Sequence, residues 1–298
     1  MGISLAAPPA FASEPYAPAP VVVGSKIHGF GEVKFATDYI TPRGLLVTNT
    51  GLTTQILNGL VFDLYSGPGL ISNVSLVAGI WNDLWSEQGD PKVGPWNEFD
   101  WFVGVNFTIA KDWRAGIQFI QFLSPTGAFE AESNMELSLA YNDAKSGLPI
   151  ALNPYVKLFY AMAGDSTVVF GRKGGTYDVE IGMVPSYTFK TMGAPITLSA
   201  PTWVTVGPGT YWNRGVAVCG GPCENSNYGV FSTGLTAKAP LAFISPAYGN
   251  WYASAGFQYY HILNDSLLAA QAAVGTANSF ADADRDVLVG FASIGFSW

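Results

Sequence analysis

Apolar and polar residues alternate strictly along short segments from about residue 29 to the end of the chain. In the segment EFDWFVGVNFTI, Phe99, Trp101 and Val103 alternate with Glu98 and Asp100. The segments GFGEVKFATDY, NMELSLAYND and TYDVEIGMVPSY repeat the pattern, with large apolar groups on one face and charge or glycine on the other. A period of two residues is typical of β-strands whose faces meet different surroundings. The sequence therefore predicts an all-β protein.

This alternation divides the chain into about twelve predicted strands. Their bounds are 29–40, 53–66, 71–85, 97–109, 113–124, 133–143, 151–163, 176–189, 195–206, 229–239, 251–262 and 286–298. In the first of them Gly31, Val33, Phe35 and Tyr39 share the apolar face. Most of the segments run about 10–14 residues, enough for a tilted strand to cross a bilayer, whereas strands of soluble proteins usually run about 5–6.

The links between the predicted strands alternate in length. Long links such as ITPRGLLVTNTG follow the odd strands, and short links such as SGPG and AKD follow most of the even strands, with 240–250 the longest exception. Long outer loops and short periplasmic turns, with an even number of strands, are the pattern of bacterial outer-membrane barrels. We therefore expect a single transmembrane antiparallel β-barrel over 29–298, in the bacterial outer membrane, with both ends of the barrel domain on the periplasmic side.

Composition supports this prediction and excludes other classes. The 298 residues are 49% hydrophobic and only 12% charged, against about 25% charged in a typical soluble domain. No run of about 18 apolar residues exists, so a helical membrane span is excluded. The net charge of −8 argues against a nucleic-acid partner, which would need a basic surface.

The first 28 residues differ from the rest in being rich in Pro and Ala. The stretch Ala10-Phe11-Ala12 resembles a signal-peptidase site, although no basic segment precedes it. Residues 1–28 are thus interpreted either as a signal-peptide remnant or as a Pro/Ala-rich arm that docks elsewhere on the protein.

Two cysteines, Cys219 and Cys223, lie four residues apart in the predicted fifth outer loop. Their C-x3-C spacing, with Gly and Pro between them, predicts a small disulfide loop in an oxidising compartment. The alternative, half of a metal site, has only His28 and His261 to complete it. We expect a disulfide and no metal.

The chain ends in LVGFASIGFSW, where Phe296 and Trp298 alternate with small polar residues. This segment resembles the terminal strand of bacterial outer-membrane barrels, which ends in an aromatic residue that the insertion machinery reads. The resemblance implies that Phe296 and Trp298 form the membrane-insertion signal.

A second resemblance lies near residue 40. Thr37-Asp38-Tyr39, followed by Arg43-Gly44 and later Gln55, is similar to the opening of a proteobacterial outer-membrane, porin-like family of undefined activity. In that family the first strand runs into an S/T-D-Y-x-x-R-G turn, and here the spacing from Tyr to Arg is one residue longer. The resemblance implies an outer-membrane barrel and no particular activity.

If the apolar face meets lipid, the charged face lines the interior of the barrel. The predicted pore-lining residues are Glu32, Lys34, Asp38, Asp63, Glu98, Asp100, Arg114, Glu136, Lys157, Asp178 and Glu180. Asp83, Asp143 and Lys238 are expected to face the same way. Charges of both signs favour a hydrated lumen, and the acidic excess favours cations.

Two readings of that interior remain open. The first is a porin-like channel for passive diffusion of small hydrophilic solutes, for which the interior glycines leave room: Gly59, Gly79, Gly104, Gly116, Gly182 and Gly256. The second is a plugged structural or assembly barrel, whose charges pair across strands and whose outer face packs against partner proteins. The expected partners are outer-membrane lipid and lipopolysaccharide, small solutes or cations, further copies of the chain or other membrane proteins, and no nucleic acid.

An outer-membrane lipid hydrolase is the third reading. It would need a nucleophile, a histidine base and an orienting group at the outer rim. His261 is predicted at that height with Ser266 nearby, but the sequence offers no third member. The acidic run Asp282–Asp286 lacks the glycine and glutamate of an EF-hand loop. We therefore predict no enzyme activity and no cofactor.

Overall fold

The computed structural model describes residues 26–298 except 88–94, 146, 148–149, 164–173, 192–193 and 213–225. The strands are β1 (Ile27–Ala36), β2 (Tyr39–Ile40), β3 (Leu46–Thr48), β4 (Thr53–Ser66), β5 (Ile71–Trp85), β6 (Trp96–Ile109), β7 (Trp113–Leu123), β8 (Glu132–Tyr141), β9 (Pro154–Ala163), β10 (Thr176–Met183), β11 (Ser186–Thr191), β12 (Ala194–Ser199), β13 (Thr202–Val206), β14 (Tyr228–Pro240), β15 (Asn250–Ile262) and β16 (Asp286–Ser297). The helices are α1 (Gly209–Trp212) and α2 (Asp265–Val274), with 3-10 turns at Pro246–Tyr248 and Phe280–Asp282. No helix in this part of the chain is long and apolar enough to cross a membrane.

Antiparallel pairing joins all strands except β2 and β3 into one closed barrel. The sheet runs from β15 through β16, β1 and β4 to β14, and the pairing of β14 with β15 closes it. Two of the spanning strands are each interrupted once, β10–β11 at Pro185 and β12–β13 at Pro201, because proline has no N–H to give to the ladder. The barrel thus has twelve spanning strands, as predicted, and most of their bounds agree with the prediction to within three residues.

The first and last strands meet at one end, which we call the inner end. Phe30 pairs with Ser297 there, and the Trp298 amide donates to the Gly29 carbonyl at 3.1 Å. The short turns also lie at this end, whereas the long links lie at the opposite, outer end. The predicted division into long outer and short inner connections is confirmed, with 142–153 and 241–249 the longest of the inner links.

Burial along the strands follows the alternation of the sequence. Side chains such as Ile117, Ile181 and Ile294 are exposed on the outward face, while the residues between them face the interior. Aromatic rings gather on the outside at the inner end, where Trp113 lies 4.9 Å from Tyr141. The barrel is therefore apolar outside and polar within, the reverse of a soluble protein.

The first strand is shorter than predicted. β1 ends at Ala36, and the chain then turns into the barrel to form the hairpin β2–β3. Tyr39, expected on the apolar outward face, is instead 4% exposed inside the bore. There its ring lies 5.5 Å from Trp81 and its hydroxyl donates to Glu98 at 3.0 Å, so both its apolar body and its polar tip have partners.

Three segments of the outer loops pack together inside the outer end of the barrel. The hairpin β2–β3, α1 and α2 pack against the tops of β15 and β16 through one apolar cluster, which we call the outer plug. Its members are Ala36, Ile40, Leu46, Tyr211, Trp212, Ile262, Leu267, Leu268, Ala270, Val287 and Val289. Two of the predicted outer loops thus contribute helices to the interior instead of projecting outward.

Gly44, in the turn of the hairpin, shows how closely the hairpin packs against α2 and β14. Its φ is +96°, and a Cβ there would lie 3.0 Å from both the Leu267 Cδ1 and the Val230 Cβ. Only glycine combines that backbone conformation with so little space.

Candidate functional site

The interior wall of the barrel has two chemically different sides. The apolar side, on β1 and β4–β7, consists of Phe30, Leu57, Val61, Val77, Trp81, Phe102, Ile120 and Phe122. The charged side, on β8–β10, carries the buried residues Glu132, Glu136, Lys157, Asp178 and Glu180. Most of the buried apolar side chains thus lie on one side of the interior, whereas buried carboxylates occur on both sides.

Three of the six predicted interior glycines do not leave the room that the sequence suggested. A Cβ at Gly59 would lie 2.3 Å from the Phe30 ring, and one at Gly79 would lie 2.4 Å from the Phe102 ring. Gly182 is covered in the same way by Tyr155. In each case an aromatic ring of the neighbouring strand lies across the glycine. These glycines therefore accommodate aromatic side chains and do not widen the lumen.

A first acidic group lies against the apolar side. Glu98 accepts from the Tyr39 hydroxyl at 3.0 Å, and Asp83 accepts from the Thr53 hydroxyl and the Trp85 indole. Asp100 is buried next to them on the same face of β6. The hydroxyl and indole donors supply some of the hydrogen bonds that Glu98 and Asp83 lose on leaving water. The bond from Tyr39 also links the hairpin β2–β3 to the barrel wall.

The second charged group lies on the opposite wall. The Lys157 Nζ lies 3.8 Å from the Glu180 Oε1, and both side chains are buried. Glu136 on the adjacent strand β8 is also buried, and Lys157 acts on its charge. Lys157 and Glu180 thus form a buried pair of opposite charge.

Arg43 lies buried inside the barrel, against side chains of β7 and β9. It is 2% exposed, and its guanidinium carbon lies 4.9 Å from the centre of the Phe122 ring and 5.1 Å from that of Phe159. Both distances are within the range of a cation–π interaction. The hairpin β2–β3 thus places a cation, carried on a loop, among side chains of the barrel wall.

The groups around Arg43 stabilise its charged form. Burial opposes the charged form, but Tyr211, Glu132 and Asp178 act in the other direction, and the pKa of Arg43 is raised. For Tyr211 and Tyr39, burial disfavours the charged phenolate and so raises the pKa. Both phenols therefore keep their protons and serve as donors.

Of the other predicted pore-lining residues, Lys34 lies near the outer end of β1, and Glu32, Asp63 and Arg114 lie toward the inner end. Glu32 accepts from the Tyr252 hydroxyl at 3.0 Å, and the Lys34 Nζ lies 4.6 Å from the Phe291 ring. Asp63 is 3.1 Å from the His28 Nε2. Arg114 donates to two carbonyls of the neighbouring turn, those of Lys111 and Trp113.

Two acids predicted to face the bore have other positions. Asp38 lies beyond the end of β1, where it accepts from the Thr37 hydroxyl at an exposed position. Asp143 lies in an inner turn and accepts from the amides of Leu152 and Asn153 at 3.0 and 2.8 Å. Both departures arise because the strands end earlier than the alternation of residue types suggested.

Sequence reasoning missed Arg43, Glu132 and Tyr211 as members of the interior. Arg43 and Tyr211 lie in segments predicted as outer loops, and Glu132 lies one residue before the predicted start of its strand. The one available signal was the turn resemblance, which singled out Arg43 without giving it a role.

At the outer rim, His261 has a partner that sequence reasoning also missed. Its Nδ1 lies 2.6 Å from Asp286 Oδ1, which also accepts from the Tyr259 hydroxyl at 2.5 Å. Antiparallel pairing of β15 with β16 places His261 opposite Asp286. Ser266, however, is buried on α2, while His261 lies on the partly exposed outward face.

Two further expectations concern metals and cysteines. Among the residues that the structure describes, no group of three or more His, Cys, Asp or Glu side chains is arranged to hold a metal ion. Cys219 and Cys223 lie outside the described residues, as does most of the 1–28 segment.

A closed ladder with an apolar outer belt, aromatic rings at its edge and charge within is stable only when hydrocarbon surrounds it. The protein is an integral outer-membrane β-barrel. Pairing of β14 with β15 closes the sheet, so most backbone groups of the spanning strands face a neighbouring strand; β11 pairs with β12 on one side and has a single bridge, Ala151 to Ser186, on the other.

Comparisons with known proteins give only distant structural similarity. No protein-family model matches the barrel, and no curated protein matches it. An outer membrane channel from Pseudomonas putida F1 is 8% identical over 94% of this chain and 97% of its own, with a TM-score of 0.46.

Two autotransporter domains are comparably distant. The β-domain of the Bordetella autotransporter BrkA is 12% identical over 91% of this chain and 99% of its own, with a TM-score of 0.44. The translocator domain of NalP from Neisseria meningitidis is 12% identical over 92% and 89%, with a TM-score of 0.37. The functional interpretation therefore depends on the residues of this barrel alone.

Proposed function

We propose that the barrel is an outer-membrane channel for passive diffusion of small hydrophilic solutes, with a preference for cations, and that the outer plug closes it in the conformation described here. The supporting observation is the charge along its inner wall. The inward-facing acids are Glu32, Asp63, Asp83, Glu98, Asp100, Glu132, Glu136, Asp178 and Glu180, and the inward-facing bases are Lys34, Arg43, Arg114, Lys157 and Lys238.

A permanently closed scaffold has no need of so many charges in its interior. Buried ionic groups cost free energy that apolar residues of the same volume avoid. About eight strands already suffice for a barrel that side chains fill, so twelve strands leave a bore that a loop has to occupy. Both features suit a passage that is hydrated when the loop is displaced.

A plugged structural barrel is the second candidate, and the outer plug favours it. The apolar cluster at the outer end is packed like the core of a soluble protein, and Trp212 and Leu267 are fully buried in it. Partner proteins or further copies of the chain would then be the functional contacts, and residues 1–28 would be either a signal remnant or a docked arm.

The disulfide between Cys219 and Cys223 remains a prediction for the loop between β13 and β14. A lipid hydrolase is the least supported function, because Ser266 is buried while His261 faces outward.

Planar-bilayer recording of the refolded barrel tests the proposal. We expect brief ohmic openings from a closed baseline, with a reversal potential in a salt gradient that indicates cation preference. That preference decreases at high salt, because the Debye length falls from about 10 Å at 0.1 M to about 3 Å at 1 M. Joint substitution of Glu98, Asp100, Asp178 and Glu180 by their amides should abolish it. Anion preference would contradict the proposal, and a well-folded barrel that never conducts would favour the scaffold.

A further inference from the structure

Arg43 sits in a set of side chains that together have the chemistry of an organic-cation site. We call this set the Arg43 cage: Phe122 on β7, Glu132 on β8, Phe159 on β9, Asp178 on β10 and Tyr211 on α1. Two aromatic faces with two carboxylates beside them attract a flat, weakly hydrated cation more than a compact, strongly hydrated one.

The barrel wall supplies the cage, whereas a loop supplies the cation. All members except Tyr211 lie on four consecutive, hydrogen-bonded strands, so the wall holds them in place whether or not the hairpin is present. Arg43 instead reaches the cage from the hairpin β2–β3, across the turn at Gly44. Withdrawal of the hairpin would therefore leave two rings and two acids around a vacated cation position.

The way in which Arg43 is held indicates an exchangeable contact. Within the described residues, neither its Nε nor its Nη1 has a hydrogen-bond partner, although both atoms are buried. A guanidinium that was purely structural is usually fixed by paired N–H···O bonds to a carboxylate. Here two of the three guanidinium nitrogens have no such bond within the described residues, the group lies against two ring faces, and Glu132 and Asp178 stabilise its charge.

We propose that the Arg43 cage is a binding site for solutes that carry a guanidinium group, and that Arg43 occupies it as an internal substitute for such a solute in the closed barrel. The inference deepens the proposed channel, on which it rests for the route by which a solute arrives. A guanidinium solute that enters the cage competes with Arg43, so binding of the solute and withdrawal of the hairpin are the same event.

The test uses the full chain refolded in lipid, with Arg43→Ala as the main variant. Arg285→Ala is the matched control, because Arg285 also projects from an outer loop but pairs with Asp265 at 2.9 Å outside the cage. The probe is guanidinium chloride in the tens of millimolar, far below the molar range that unfolds proteins, against potassium chloride at equal ionic strength. The readout is the unfolding temperature.

We expect Arg43→Ala to lower the unfolding temperature by several degrees and guanidinium to restore a large part of that loss. Potassium should restore none, and neither salt should raise the unfolding temperature of the wild type or of Arg285→Ala. An equal response of all three proteins to guanidinium, or an equal response of Arg43→Ala to both salts, would overturn the site. Should Arg43→Ala refold poorly, the refolding yield serves as the readout, with the same expected contrast between salts and variants.

Conductance of the same samples separates the site from the channel. Stabilisation of Arg43→Ala by guanidinium without any current supports the site and rejects the channel. Current through Arg43→Ala that guanidinium does not reduce more than potassium rejects the site and retains the channel.

Discussion

The outer and inner halves of the bore are built from the same twelve strands but differ in what fills them. In the outer half, the hairpin β2–β3 and the helices α1 and α2 are packed against the wall, and Asp178 and Glu180 are buried. In the inner half, His28, Glu32 and Asp63 keep part of their surface exposed.

Under the proposed function, closure is a property of the loops and not of the wall. Hydrogen-bonded pairing closes the wall around the barrel, and its irregular part, the side of β11 away from β12, lies toward the inner end. In the proposed closed state, the hairpin β2–β3 and the helices α1 and α2 block the outer half, and all three belong to loops that connect strands of the wall. Changes to those segments should therefore open the bore without unfolding the barrel, and changes in the inner half should not.

Arg43→Glu is expected to have the largest effect on this contrast. It places a carboxylate between Glu132 and Asp178, so the cost should exceed the about 3–5 kcal/mol of breaking a buried pair. A cost near 5.5 kcal/mol is enough to take a two-state equilibrium from 1:99 to 99:1. We expect the hairpin to leave the bore and the barrel to conduct continuously in planar bilayers.

The matched control for that charge reversal is Arg285→Glu, which breaks the surface pair with Asp265. It should leave the closed baseline as in the wild type. If both variants conducted equally, a general loosening of the outer loops would explain the current, and Arg43 would have no special role in closure.

Leu267→Ala should have the next largest effect. Leu267 is fully buried on α2 within the outer plug, and Leu→Ala changes at such positions cost about 2–5 kcal/mol. The expected result is more frequent opening with retained strand content by circular dichroism. Leu288→Ala, on the outward face of β16 at the same end, removes the same atoms without a cavity in the plug and should open the bore much less.

Tyr39→Phe removes one hydrogen bond and little else. The Tyr39 hydroxyl donates to Glu98 at 3.0 Å, and a buried bond to a carboxylate contributes about 1.5–3 kcal/mol. We expect a smaller increase in open probability than for Leu267→Ala, measured in the same bilayers. Tyr177→Phe, at an exposed outward position, is the control, and an equal change there would show that Tyr39 does not anchor the hairpin.

The parts of this architecture that sequence predicted are those that a period of two residues governs. Lipid outside and polar groups inside force each spanning strand to alternate, which is why the bounds of β4 and β5 were predicted without error. The same rule gave the wrong face for Tyr39. Alternation predicts which way a side chain points in a strand of the wall, but not in a segment that has left the wall.

The interior could not be predicted for a related reason. Arg43 and Glu132 are far apart in sequence, and their meeting depends on how a loop folds back into a bore whose width follows from closure of all twelve strands. The glycines illustrate the same limit. Gly59 was expected to widen the lumen, but the ring of Phe30 on the neighbouring strand covers it. Cross-strand partners follow from register, which residue type alone does not fix.

The smallest expected effect comes from the inner half. Asp63 lies 3.1 Å from the His28 Nε2, and both side chains keep part of their surface in solvent. Pairs of this kind contribute at most about 1 kcal/mol, so Asp63→Asn should hardly change the unfolding temperature and should leave the outer end closed. Combined with Arg43→Glu, it should nevertheless shift the reversal potential slightly toward neutrality, because one inward-facing negative charge is lost. Asp112→Asn is the control at the same end, where Asp112 lies in a turn, 3.8 Å from the exposed Lys145. If Asp63→Asn alone opened the bore, closure would depend on residues of both halves. The proposal that only the segments of the outer half close the bore would then be wrong.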